Sequence, residues 1–129
     1  MNKNSPKAFS LVEVLIVVAI IALLSAIAIP NLMRAKMQSN QTYAQATLKS
    51  IATALENYYS IYNQYPAGTS SLIGVTPPYL TTDYFTGNTF NGYTFSAGVN
   101  SYTYTVTAMP ISAGQGKSYT ITTGGVFAP

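Results

Sequence analysis

The acids of this chain are Glu13, Glu56 and Asp83, spread along 129 residues. There is no His, no Cys and no Trp. A metal site would have to draw on three distant carboxylates and on carbonyls, a poor set even for a hard cation. Proton-transfer catalysis lacks its commonest base. Without Cys there is neither thiol chemistry nor a disulfide framework. No catalytic residue, no metal and no cofactor is therefore expected. The acid whose position demands an explanation is Glu13.

Glu13 stands at the head of an apolar run. From Val14 to Ile29 there are sixteen residues, and the only polar one is Ser25. Counted from Phe9, the span is twenty-one residues with one charge. As a helix it is ~31 Å long, about the thickness of a bilayer's hydrocarbon core. A charge inside such a span costs a few kcal/mol if it stays unpaired. The helix dipole returns less than ~1 kcal/mol to a carboxylate near the helix start. Glu13 thus calls for a positive partner, and the span itself supplies none.

The residues Ala8, Phe9-Ser10-Leu11-Val12-Glu13 and the run that follows resemble the prepilin signature of type IV pilins and type II secretion pseudopilins. That signature is a short basic leader ending in a small residue, then Phe, then Glu five residues into the mature chain. Ala8 stands where Gly is usual. Pro30, which closes the run, stands where the family has a helix-kinking proline. The resemblance implies that a prepilin peptidase removes 1–8 on the cytoplasmic face and that the new Phe9 amine is methylated. It also implies a role for Glu13, which would pair with the Phe9 amine of a neighbouring subunit during assembly.

An ordinary secretory signal also combines a basic start with an apolar run. Ala26-Ile27-Ala28 offers it a cleavage site, and the product of cleavage after Ala28 would be soluble and secreted. The length of the run and the charge at its head weigh against that reading. A single-pass anchor that never polymerises is a third possibility.

Formal net charge is +3, but Lys3 and Lys7 precede Phe9, leaving four basic residues against three acidic ones. No basic cluster marks a nucleic-acid partner. Charged residues make up 7% of the chain, so Thr, Ser, Asn, Gln and Tyr must carry the solvation. Such a surface suits an exported protein or one packed among neighbours in a polymer.

Beyond Pro30 the helical pattern resumes. Ala44, Leu48, Ile51, Leu55, Tyr58 and Tyr62 recur at spacings of four and three, a core-facing stripe. Gln41, Gln45, Lys49, Ser50, Glu56 and Asn57 are placed on the opposite, solvated face. Tyr65 precedes Pro66 and is pushed out of the helical region, so the helix should stop near Asn63. The Tyr58-Tyr59…Tyr62…Tyr65-Pro66 series is similar to the helix end of many pilins and of G-type pseudopilins. A Gly, Ser, Thr and Pro-rich loop follows, with Tyr79-Leu80 and Tyr84-Phe85 as anchors. Tyr93–Phe95, Tyr102–Ala108, Tyr119–Thr122 and Val126-Phe127 read as strands, with a turn at Gly98–Asn100. In Tyr102–Ala108 the face Tyr102, Tyr104, Val106, Ala108 alternates with Thr.

The expected architecture is α+β. A long N-terminal helix, membrane-spanning in its first half and kinked at Pro30, packs on a small C-terminal antiparallel β-sheet. The expected regions are 1–8 leader, 9–30 transmembrane and polymerisation helix, 31–63 amphipathic continuation, and 64–129 loop and β-meander. The resemblance implies a structural subunit of a type IV pilus or pilus-like filament, held by the inner membrane before assembly and extracellular or periplasmic afterwards. Its partners would be copies of itself, related pilins, the prepilin peptidase and methyltransferase, an inner-membrane platform and an assembly ATPase. The alternative is a G-type major pseudopilin. Those proteins usually hold calcium in a carboxylate-bearing C-terminal loop, and after Glu56 this chain has only Asp83.

Overall fold

The structure is a computed structural model that describes residues 9–114 and 116–128. The chain divides into two compact units, Met1–Lys36 and Met37–Pro129. The first helix, α1, spans Leu11–Tyr62. It passes Pro30 without interruption, although the missing N–H leaves the Ala26 carbonyl without its helical donor. Asn63 ends it in the left-handed conformation, φ 53°. The Asn63 N–H donates to the Tyr59 carbonyl at 2.8 Å, which satisfies one of the orphan acceptors at a helix C-terminus.

In the second unit α1 buries Ala44, Thr47, Leu48, Ile51, Ala52 and Leu55. Steps of three and four keep these side chains on one face. They join one core with Tyr93, Phe95, Tyr104, Val106, Ala108 and Ile121 of the sheet, and with Leu72 and Leu80 of the intervening loop. Each fully buried Leu or Ile contributes ~1.5–3 kcal/mol relative to exposure.

The sheet is an antiparallel meander in chain order: β1 Tyr93–Val99, β2 Tyr104–Pro110, β3 Tyr119–Thr122 and β4 Val126–Ala128. Alternation places Tyr93, Phe95, Tyr104, Val106, Ala108 and Ile121 inward. It leaves Thr94, Ser96, Thr105, Thr107, Thr120 and Thr122 on the outer face. Thr105 pairs with Thr122 and Thr107 with Thr120 across the β2–β3 ladder. The α+β architecture expected from the sequence is the one observed.

Four local expectations are corrected. The turn expected at Gly98–Asn100 lies later, because β1 continues through Gly98 and Val99. Asn100 makes the turn: its Oδ1 accepts from the Tyr102 and Thr103 N–H groups and the Thr103 hydroxyl. An Asx side chain that satisfies the backbone this way competes with the strand ladder. Tyr102 is thereby taken out of β2 and stands 79% exposed, away from the buried face it was expected to share. Tyr62, at the end of the stripe, is half exposed, with its ring 4.4 Å from that of Tyr58. The fourth correction is Glu56, which does not lie on the solvated face.

The loop between helix and sheet is anchored as expected. A turn of 3-10 helix at Thr69–Leu72 buries Leu72. The Leu72 carbonyl accepts from both the Tyr79 and Leu80 N–H groups, at 2.9 and 3.0 Å. Leu80 is buried, and Tyr84 meets Phe90 and Phe95 edge to face at 5.1 and 5.6 Å.

Candidate assembly site

The first unit presents the apolar run with no core of its own. Among its described residues, the large hydrophobics from Phe9 to Met33 are exposed, and Phe9 is 82% exposed. The most apolar eighteen-residue window has a mean hydropathy of 3.0 and no buried residue. By length and composition this helix can cross a membrane. In water the exposed run would be an aggregation surface, so it needs lipid or other chains around it.

Glu13 sits at the third position of α1, with Ser10 immediately before the helix. The Ser10 N–H donates to Glu13 Oε2 at 3.4 Å. The Ser10 carbonyl accepts from the Glu13 and Val14 N–H groups, at 3.1 and 3.3 Å. This is the Glu half of a capping box, Ser-x-x-Glu. The Ser10 N–H is a neutral donor and not the positive partner that Glu13 calls for. Among the described residues, a single long bond to that donor leaves the negative charge uncompensated. Phe9, Glu13 and Pro30 lie on one segment, while Ala8 lies outside the described residues.

A second polar cluster, missed in the sequence, lies in the other unit. Glu56 is half-buried, and its Oε1 is the meeting point of three donors. The Tyr65 hydroxyl donates at 3.1 Å, the Tyr104 hydroxyl at 3.1 Å and the Gly124 N–H at 2.9 Å. Burial, and next the Glu56 carboxylate, push the Tyr65 hydroxyl up to about 12. Tyr104 is raised too, by burial first and then Glu56, against the lowering effect of the Gly125 N–H. Both phenols therefore stay protonated and keep donating at neutral pH. No local signal in the sequence points to it, because two of the three donors lie 48 and 68 residues away.

Residues 3–29 match the prokaryotic N-terminal methylation motif. The chain is 35% identical over 111 residues to the type IV wide pilus major component of Thermus thermophilus, covering 83% of this chain and 84% of that one. It is 42% identical over 59 residues to the type IV major pilin of Myxococcus xanthus, covering 46% of this chain and 27% of that one. It is 33% identical over 66 residues to the type II secretion system core protein G of Aeromonas hydrophila, covering 51% and 46%. No solved structure matches. With its apolar helix, four-stranded sheet and methylation motif, the chain belongs to the family of type IV pilins and pseudopilins.

Proposed function

We propose that this chain is a structural subunit of a type IV pilus or pilus-like filament and performs no catalysis. The carrying observation is the exposed apolar run of α1, headed by a lone carboxylate and lying inside the methylation motif. Segment 9–30 would hold the subunit in the inner membrane and, after extraction, pack against copies of itself. Segment 31–63 continues the helix, and 64–129 completes the body carried on it. A prepilin peptidase would cut between Ala8 and Phe9, and methylation would fall on the Phe9 amine. An inner-membrane platform and an assembly ATPase would drive extraction. Pro30, lacking its N–H, leaves one helical hydrogen bond open, which eases bending there.

Glu13 is the assembly residue in this reading, pairing with the Phe9 amine of a neighbouring subunit. Glu13→Ala should leave insertion intact or slightly favoured, since an intramembrane charge is removed. Docking into the fibre would then bury a Phe9 amine unpaired. Losing one partner of a buried pair costs ~3–5 kcal/mol, a hundredfold or more in incorporation. Glu13→Gln separates the two local roles, because Gln also completes a capping box but carries no charge. The measurement is sheared surface fibre against processed subunit in membranes. Normal processed subunit with little fibre from both variants is expected. Full fibre yield from Glu13→Gln would leave Glu13 as a helix cap only.

The second reading is a G-type pseudopilin, favoured by the likeness to the type II secretion core protein G. Against it stands the region after Glu56, whose only acid, Asp83, accepts the Phe85 N–H at 2.9 Å.

A further inference from the structure

The hairpin formed by β3 and β4 is thinly anchored. The two strands are four and three residues long, and Ile121 is their fully buried side chain. Phe127, opposite Ile121 in the ladder, and Val126 are both exposed. No Cys is available to tie this end of the chain.

Beyond the β2–β3 ladder and the Thr107–Thr120 hydroxyl contact, its fastenings converge on one place, the turn Thr123-Gly124-Gly125. The Thr123 N–H donates to the Tyr104 carbonyl at 3.1 Å, and the Tyr104 N–H to Thr123 Oγ1 at 2.9 Å. The Gly124 N–H donates to Glu56 Oε1 at 2.9 Å, and the Gly125 N–H to the Tyr104 hydroxyl at 3.1 Å. That hydroxyl in turn donates to the same Glu56 oxygen. Gly124 and Gly125 both hold φ between 70° and 80°, at 79° and 72°. Glycine takes that conformation without steric cost. The Gly124 N–H thereby reaches the carboxylate delivered from the helix, and the Gly125 N–H reaches the phenol that donates to it.

We infer that Glu56 is the clasp of a C-terminal flap: its charged carboxylate holds the β3–β4 hairpin closed against α1 and β2, and loss of that charge lets the hairpin open as a unit while α1, β1 and β2 stay packed. Donors to a charged acceptor bond roughly twice as strongly as donors to a neutral one. Replacing the carboxylate by an amide therefore weakens all three bonds at once. The amide keeps one oxygen that can accept at the Oε1 position, so what the substitution removes is the charge. Tyr104 is the one β1–β2 ladder residue bonded to Glu56 and the turn. The other β1–β2 pairs and the helix face around Leu48 and Ile51 share no hydrogen bond with either, so they do not depend on the clasp.

The test is amide hydrogen exchange on the full mature chain in detergent micelles, wild type against Glu56→Gln. The expected result is exchange at least tenfold faster at Tyr119–Ala128, ~1.4 kcal/mol in opening equilibrium. Protection at the β1–β2 pairs and at 44–55 of α1 should hold within twofold. Tyr65→Phe removes a donor from the same oxygen without touching the hairpin, and should leave hairpin exchange within threefold of wild type. A uniform rise across helix and sheet, or no change at the hairpin, overturns the inference. Should Glu56→Gln not fold, wild-type exchange in low denaturant decides. Hairpin amides must then open in a step separate from the β1–β2 ladder, and a single common opening overturns the inference.

Discussion

Tyr65 and Tyr104 meet edge to face with ring centroids 5.1 Å apart, and both hydroxyls donate to the same oxygen of Glu56. One phenol follows the helix end and the other opens β2, so a single carboxylate binds three segments that are distant in sequence. The T-shaped contact adds ~0.5–1.5 kcal/mol beyond burial.

That arrangement sets an alkaline limit. An unfolded tyrosine titrates near ~10, and the Tyr65 hydroxyl is pushed up to about 12 by burial and Glu56. A folded value above the unfolded one means that the native state holds its proton more tightly. The stability so gained is complete below ~10 and is lost as pH rises through about 12. Melting temperature should therefore be steady from pH 7 to about 9 and fall between about 10 and 12. Tyr65→Phe should start lower, having lost a bond to a charged group, and fall less steeply. Parallel curves for variant and wild type would remove Tyr65 from the explanation.

Residues 37–129 should fold without the apolar run. Their core is supplied from within, by Leu48, Ile51 and Leu55 on the helix and by Tyr93, Tyr104, Val106 and Ile121 on the sheet. Urea titration of this fragment should give one cooperative transition. Leu48→Ala, at a site with no solvent exposure, should cost ~2–5 kcal/mol through lost burial and a residual cavity. A fragment that aggregates, or a Leu48→Ala cost below ~1 kcal/mol, would contradict the assigned core.

Mass spectrometry of the mature chain should show loss of eight residues and gain of one methyl group, placing Phe9 at the N-terminus. An intact Met1 would exclude peptidase processing. A start at Ile29 would mean ordinary signal cleavage after Ala28 and a soluble product.

The helix and the alternating strands were legible because their periods are. Leu48, Ile51 and Leu55 repeat at the helical spacing, and Tyr104, Val106 and Ala108 at the strand spacing. The β1 turn was misplaced because Gly98 and Asn100 both read as turn residues, whereas only the Asn100 side chain bonds the backbone around it. Glu56 was assigned to solvent because a charged residue beside a stripe is normally solvated. Its burial depends on Tyr104 and Gly124, 48 and 68 residues away, and no local period carries that information. At the N-terminus the residues of interest were legible by type and spacing. Their local geometry, the bond from Ser10 to Glu13, came only from the structure.

The outer sheet face, with Thr94, Ser96, Thr105, Thr107, Thr120 and Thr122, has a consequence for how this body meets its surroundings. It is wetted by hydroxyls, some already engaged with one another, as between Thr107 and Thr120 at 3.3 Å. A face without fixed charge casts no field for counterions to screen. Neighbours are neither drawn in from a distance nor turned away by like charge. What touches this face is therefore governed by fit and hydration, and dilution into fresh water or transfer to brine should alter such contacts little.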